Sequence, residues 1–362
     1  MSAPRLEFDL DKIYHNAREL VTRLGKHGIS TTGVTKATLG SVEIGNTMLR
    51  AGVTAIGDSR IENIKAMCLA GSDTSIKDAS MTLIRSPMLS QVGQVVMYAD
   101  LSCNTEIAVI EALSLEAARQ KRTHQIVLMV ELGDLREGIM PDDLIDTVGA
   151  VINLPNIVIK GIGTNLACRS GVEPDATNMA ELSRLADSVE AKFDLKLELI
   201  SGGNSANLPW ILLNGAGTEA GRVNNLRLGE SILLGRETLH RQAIDGLYTD
   251  AITLVAEVIE SKLKPSLPTG NIAQTAFGEP APIFDHGTVR QAVLAVGIQD
   301  IDPSGLQAPE QTKILGASSD HLIVESSRND LIVGQEITFQ VNYSALLRAM
   351  TSPFVMNVYV GS

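Results

Sequence analysis

Cysteine is almost missing from this chain of 362 residues: Cys68, Cys103 and Cys168 stand far apart, with no CxxC pair. That usage argues against a disulfide framework and a cysteine-rich zinc site, and it points to a reducing compartment. Aromatic residues are scarce too, at 3%, so the core has to be built from Leu, Ile, Val, Ala and Met. No apolar run approaches the ~18 residues of a membrane span. The opening MSAPRLEFDLDKIYHNAREL meets charge too early for a secretory signal. A cytoplasmic protein with no membrane partner is expected. Basic residues are also short, 30 Lys and Arg against 42 Asp and Glu, and the resulting net charge of −12 argues against nucleic acid as a partner. HExxH, a P-loop and a GxGxxG after an N-terminal strand are all lacking, which weighs against a metal site, nucleotide hydrolysis and dinucleotide redox chemistry.

What is present is apolar content of 44% over a length that suits more than one core. From residue 9 to about 235, helical stripes alternate with short apolar runs, the rhythm of βα units. The first helix reads as Asp9–Lys26, with Leu10, Ile13, Ala17, Leu20, Val21 and Leu24 on one face. Strands are expected at Thr31–Ala37, at AIG after Thr54, and at Met81–Ile84, Ala99–Cys103, Gln125–Leu132, Asn156–Gly163, Lys196–Ile200 and Asn225–Leu228. QIVLMVEL is nearly all β-branched or aliphatic, as befits a parallel strand buried on both faces. Eight repeats fit a (β/α)8 TIM barrel with its active site in the loops after the strands. A doubly wound α/β sheet is the rival. Beyond residue 236, alternating segments separated by turns such as PSLPTG and DPSG suggest a mainly β domain. The expected domains are therefore 1–235 and 236–362, with the first helix able to pack with the second.

Several residues could carry chemistry at the barrel mouth. Lys36 closes the run TTGVTKA, where a lysine can form a Schiff base or simply reach water. SGGNSA, residues 201–206, leads into a helix; its glycines permit close backbone approach, and Asn204 and Ser205 can either meet an anion or merely cap the helix. Arg227 and Gly229 in NLRLGESILLG follow the eighth strand, where Arg227 is either a buried donor beside a cofactor or a partner of Glu230. Arg136 and Asn165 follow strands five and six, facing substrate or satisfying loop backbone. His286 and His321 each adjoin an aspartate without forming a metal motif.

Taken in order, VTKA, SGGNSA and RLGES make the chain resemble the alanine racemase family of pyridoxal 5'-phosphate enzymes over nearly its whole length, within it most like the branch of ornithine racemases and related amino-acid racemases. The resemblance implies an N-terminal barrel, a C-terminal β domain that contributes to the active site, and a head-to-tail homodimer with shared sites. It makes Lys36 the residue that holds the cofactor covalently and moves an α-proton. It gives Asn204 and Ser205, the backbone near Gly229 and Glu230, and Tyr343 of VNYS to the phosphate, and Arg227 to the pyridine nitrogen. Asn165 takes the place of a histidine that packs on the ring. Arg136, and Ser318, Ser319 and Asp320 of GASSDH, fall near substrate, with Asp320 placed to meet a cationic side chain. The chain departs from the family where KATLGS lacks an aromatic after the lysine, where Ile298 replaces a tyrosine, and at TAFG, where Phe277 stands in place of the catalytic tyrosine. A second acid/base is then needed; His286 is the residue preferred, with His321, Asp320 and Cys168 as alternatives. The implied activity is racemisation of a free amino acid, ornithine or another basic or broad-range substrate. A decarboxylase, an aldolase or a non-catalytic pyridoxal phosphate carrier is the alternative.

Overall fold

The protein is described by a computed structural model covering residues 3–70, 75–214, 221–278, 284–327 and 331–361. Two compact units emerge: Lys12–Tyr248, and a second that joins Met1–Asp11 to Thr249–Ser362.

The second unit holds the first strand, β1 (Arg5–Asp9), whose alternating Leu6 and Phe8 are buried and which the sequence reading did not place. A 16-residue helix, Leu10–Gly25, follows; Ile13, Ala17, Leu20 and Leu24 are buried along one stripe, as the spacing anticipates.

Eight parallel strands close the barrel: β2 (Ser30–Val34), β3 (Ala55–Asp58), β4 (Met81–Leu83), β5 (Leu101–Asn104), β6 (His124–Val130), β7 (Ile157–Thr164), β8 (Leu199–Ser201) and β9 (Asn225–Leu228). Closure comes from β9 pairing back onto β2, with Arg227 opposite Thr32, so the doubly wound sheet is excluded. β6 carries the densest apolar run and is buried from Ile126 to Val130, on both faces. Helices flank the strands; the longest, Ala176–Phe193, begins with a capping box in which Asp175 and Asn178 each accept the other's backbone N–H.

The barrel strands also bury polar side chains. His124 at the start of β6 is 1% exposed, its Nε2 2.7 Å from Ser102 Oγ, and burial pushes its pKa down to about 4. An unfolded histidine takes its proton near pH ~6.5, so the unfolded state binds more protons between the two values. Stability conferred at neutral pH is then lost as pH falls through that window. Relative to His124→Gln, the wild type should lose about 2 kcal/mol of unfolding free energy between about pH 7.5 and about pH 5. Urea unfolding of both proteins at the two pH values checks this, and parallel changes would contradict it.

The second unit is one antiparallel sheet with a mixed edge. Its strands are β10 (Ile252–Pro265), β11 (Thr288–Leu294), β12 (Leu306–Gln307), β13 (Thr312–Ala317), β14 (Leu322–Ser326), β15 (Glu336–Val341) and β16 (Met356–Val360). They run in the order β12-β15-β10-β11-β14-β13, while β1 pairs antiparallel with β10 and parallel with β16. Ile337, Phe339 and Val341 alternate inward on β15, the two-residue period of a half-buried strand. One helix, Tyr343–Thr351, breaks the β pattern: Asn342 caps it by accepting from the Ala345 N–H at 2.9 Å, and Ala345, Leu346, Ala349 and Met350 are buried. Among the described residues no helix is long and apolar enough to cross a membrane.

Candidate active site

Lys36 does not extend its strand. β2 ends at Val34, Thr35 turns away at φ −97° and ψ 0°, and Lys36 begins a single 3-10 turn, Lys36–Thr38, where it is half-buried. The turn replaces the strand end expected through Ala37 because Thr35 is pinned: its N–H donates to Gly57 O at 3.0 Å and its hydroxyl to Asp58 Oδ2 at 2.9 Å. Burial pushes the Asp58 carboxyl pKa upward against the hydrogen bonds it accepts.

Across the β2–β9 pairing lies Arg227, 7% exposed. Its guanidinium donates to Ser201 Oγ (2.5 Å), Thr164 O (2.8 Å) and Asn165 Oδ1 (3.4 Å). Ser201 passes the chain on to Asn225 Oδ1 at 2.8 Å, and Asn225 reaches Thr32 Oγ1 at 3.2 Å. These partners are neutral, so a buried cation sits among carbonyls and hydroxyls, and burial pushes its pKa down. Such a position favours a neutral acceptor or an anion in front of it.

Asn165 lies beside Arg227 and Asn204. Its Oδ1 also accepts from Asn204 Nδ2 at 3.2 Å, whereas its own Nδ2 is buried with no hydrogen-bond partner. Asn204 spends its side chain on the loops: Nδ2 also approaches Leu166 O and Cys168 Sγ, and Oδ1 accepts from the Ala206 N–H at 2.8 Å. Gly203 has φ +110°, which a side chain would strain. Ser205, 2% exposed, meets Ser231, its Oγ 2.9 Å from the Ser231 hydroxyl. Gly229 packs against Val34, where an added Cβ would lie 3.2 Å from the valine Cβ. Glu230 follows at the start of a short helix; burial pushes its pKa up to about 7, opposed by Arg241 and by Lys36.

The loops after β6 and β7 are held by two carboxylates the sequence did not single out. Glu131 accepts from the Gly133, Leu135 and Arg136 N–H groups. Asp134, wholly buried, accepts from the Cys168, Arg169 and Ser170 N–H groups. Arg136 itself is exposed and bonded to Glu137, at 2.6 Å through Nη2. Cys168 is exposed.

In the β unit, the segments around Ile298 and Ser318–Asp320 meet: the Ile298 N–H donates to Ser318 O at 2.9 Å and the Gln299 N–H to Ser319 O at 3.0 Å. Phe277, 53% exposed in the tight turn of TAFG, shares a cleft of about 590 Å³ with Ile298, Ile301 and Leu347, edged by Asp302 and Arg348. His286 lies elsewhere, Nδ1 2.9 Å from Phe284 O and Nε2 3.1 Å from Glu325, partners that push its pKa up. His321 Nδ1 is 3.2 Å from Asp320. Tyr343 is half-buried at the first turn of its helix. Among the described residues no group of three or more His, Cys, Asp or Glu could hold a metal.

A barrel whose mouth carries a lysine turn, a glycine-bearing loop and a buried arginine defines the class, and the comparisons agree. Residues 8–236 match the family described as alanine racemase, N-terminal domain. The chain belongs to the alanine racemase family. It is 39% identical over 356 residues, 97% of its length and 98% of the relative's, to a protein of Acetoanaerobium sticklandii named ornithine racemase. It is 36% identical over 361 residues, 99% of each chain, to one of Thermotoga maritima named lysine racemase. Among solved structures, alanine racemase from Streptomyces coelicolor A3(2) superposes with a TM-score of 0.75 at 15% identity, covering 99% of this chain and 98% of that one. D-threonine aldolase from Filomicrobium marinum gives 0.73 at 15%, covering 96% and 88%. At such identities these two likenesses speak for the fold alone.

Proposed function

We propose that this protein interconverts the L and D forms of ornithine, with lysine as the nearest alternative substrate, using pyridoxal 5'-phosphate bound at the barrel mouth. That it is an amino-acid racemase, an isomerase, follows from its family and its full-length relatives; the choice of ornithine rests on the 39% identity to the protein of that name over 97% of the chain.

The residues present suit the cofactor. Asn165 Nδ2 is a buried donor without a partner, Arg227 is a buried cation among neutral acceptors, and the Gly203 turn presents Ser205 and Ser231 together. Ser205, the backbone at Gly229 and Glu230, and Tyr343 would take the phosphate; Asn165 and Arg227 would face the ring. When bound, the cofactor withdraws electrons from the substrate Cα and so loosens its α-proton. Lys36 Nζ would hold that proton on one face. Arg227, already cationic, disfavours a second positive charge in front of it and so favours a neutral ring nitrogen. Return of a proton on the other face needs a second group; Phe277 has no ionisable proton, and His286 is the residue proposed. Arg136, Ser318 and Ser319 would border the substrate, and Asp320 would meet its terminal ammonium. By family resemblance the working form is a homodimer in which the β unit of one copy completes the site of the other.

Chiral chromatography of the purified, cofactor-loaded protein with L- and D-ornithine tests the proposal. Each enantiomer should drift toward an equal mixture at constant total amino acid. Carbon dioxide release or consumption of the amino acid would overturn it in favour of decarboxylation or aldol cleavage.

A further inference from the structure

Asp58 is 0% exposed at the end of β3, and the preceding proposal gives it no task. A buried carboxyl is costly unless its hydrogen bonds repay the loss of water. Its two oxygens divide the work. Oδ1 accepts from the Arg60 N–H (2.9 Å) and Asn63 Nδ2 (3.0 Å), an arrangement that shapes the loop after its own strand. Oδ2 reaches across to the neighbouring strand and accepts from the Thr35 hydroxyl at 2.9 Å. Loop shaping accounts for the first set of bonds and leaves the second unexplained.

Thr35, also 0% exposed, directly precedes Lys36. Its carbonyl receives the Thr38 N–H (2.9 Å), the Gly40 N–H (3.2 Å) and the Thr38 hydroxyl (3.0 Å), so the turn carrying Lys36 folds back onto it. The far side of the turn passes through left-handed Leu39 and Gly40, at φ 50° and 70°. A Cβ on Gly40 would lie 2.8 Å from the Cβ of Asn63, the residue already bonded to Asp58. One carboxyl therefore bonds the near end of the turn at Thr35, and also bonds Asn63, which leaves no room for a side chain at the far end.

We propose that Asp58 is a positioning residue that, through the Thr35 hydroxyl, fixes the turn from which Lys36 works. The inference rests on the assignment of Lys36 as the cofactor lysine. A lysine that must both hold a cofactor and return a proton to one carbon tolerates little drift of its Cα, since a displacement of about 1 Å can cost about 100-fold in rate.

The test compares wild type, Lys36→Ala, Thr35→Val, Thr35→Ser and Asp58→Asn as cofactor-loaded proteins, reading visible circular dichroism of the bound cofactor, kcat, KM and Tm. Thr35→Val keeps the shape and removes the hydroxyl. It should lower kcat by about 10- to 100-fold, leave KM nearly unchanged and alter the dichroism, and Thr35→Ser should restore both readouts. Asp58→Asn keeps an oxygen for Arg60 and Asn63 while turning an amide toward Thr35, so it should fold and show the same change in dichroism. A lowered Tm with unchanged kcat and dichroism in Thr35→Val and Asp58→Asn would overturn the proposal and leave Asp58 a loop cap. A wild type without any Lys36-dependent visible signal would instead overturn the assignment of Lys36, and this proposal with it.

Discussion

Lys36→Ala should fold like the wild type and lose ornithine racemisation by at least about a thousandfold. The two halves of that expectation come from separate observations. Lys36 is half-buried on a turn whose backbone hydrogen bonds run from the Thr38 and Gly40 N–H groups to Thr35 O and from the Leu39 N–H to Lys36 O, bonds that an alanine keeps. A change of this kind costs within about 1 kcal/mol. The activity loss is large because no other lysine lies in the segments that line the mouth after β2, β8 and β9. Chiral chromatography together with thermal unfolding reads both halves. A variant that keeps racemising would remove the cofactor assignment at its root.

Arg227→Glu should act in the opposite way, damaging both stability and chemistry. The guanidinium gives hydrogen bonds to Thr164 O and Asn165 Oδ1, and a carboxylate there would set oxygen against oxygen in a buried place. Breaking a buried charged network in this manner costs about 3–5 kcal/mol, seen as a lower urea midpoint. If Arg227 faces the ring nitrogen of the bound cofactor, as proposed, a carboxylate in its place would favour a proton there. Racemisation should fall about 100-fold, read by chiral chromatography. A lowered urea midpoint with an unchanged rate of racemisation would mean that Arg227 serves packing alone.

The barrel was legible because its strands are short apolar runs alternating with helical stripes, QIVLMVEL being the densest of them. Lys36 and Ser205 were singled out by their place at strand ends; Arg227, read as following the eighth strand, lies within β9, and Lys36, read as part of its strand, lies on the turn after β2. The environment that gives them meaning was not legible. Ser201 and Thr164 become partners of Arg227 only when β7, β8 and β9 lie side by side, and Asp58 touches Thr35 from a strand 23 residues away. In sequence, the clue to Asp58 was a charged residue ending an otherwise apolar strand, AIGD. The helix Tyr343–Thr351 was hidden for another reason: it is a single amphipathic segment among strands, announced only by Asn342 as its cap. The strand at Arg5–Asp9 has two inward side chains, too few for periodicity to declare it.

That first strand sets a long-range condition on assembling the sheet. Arg5 lies opposite Val255 and also beside Met356, so this strand needs partners from far along the chain. Pairings that span nearly the whole sequence are slow to form, because the intervening chain has to be gathered first. The barrel, whose strands are all contiguous within Lys12–Tyr248, needs none of the later sheet for its own closure. The barrel's strand pairings are therefore complete without β1, whereas the sheet's are complete only when β10 and β16 are both in place beside it.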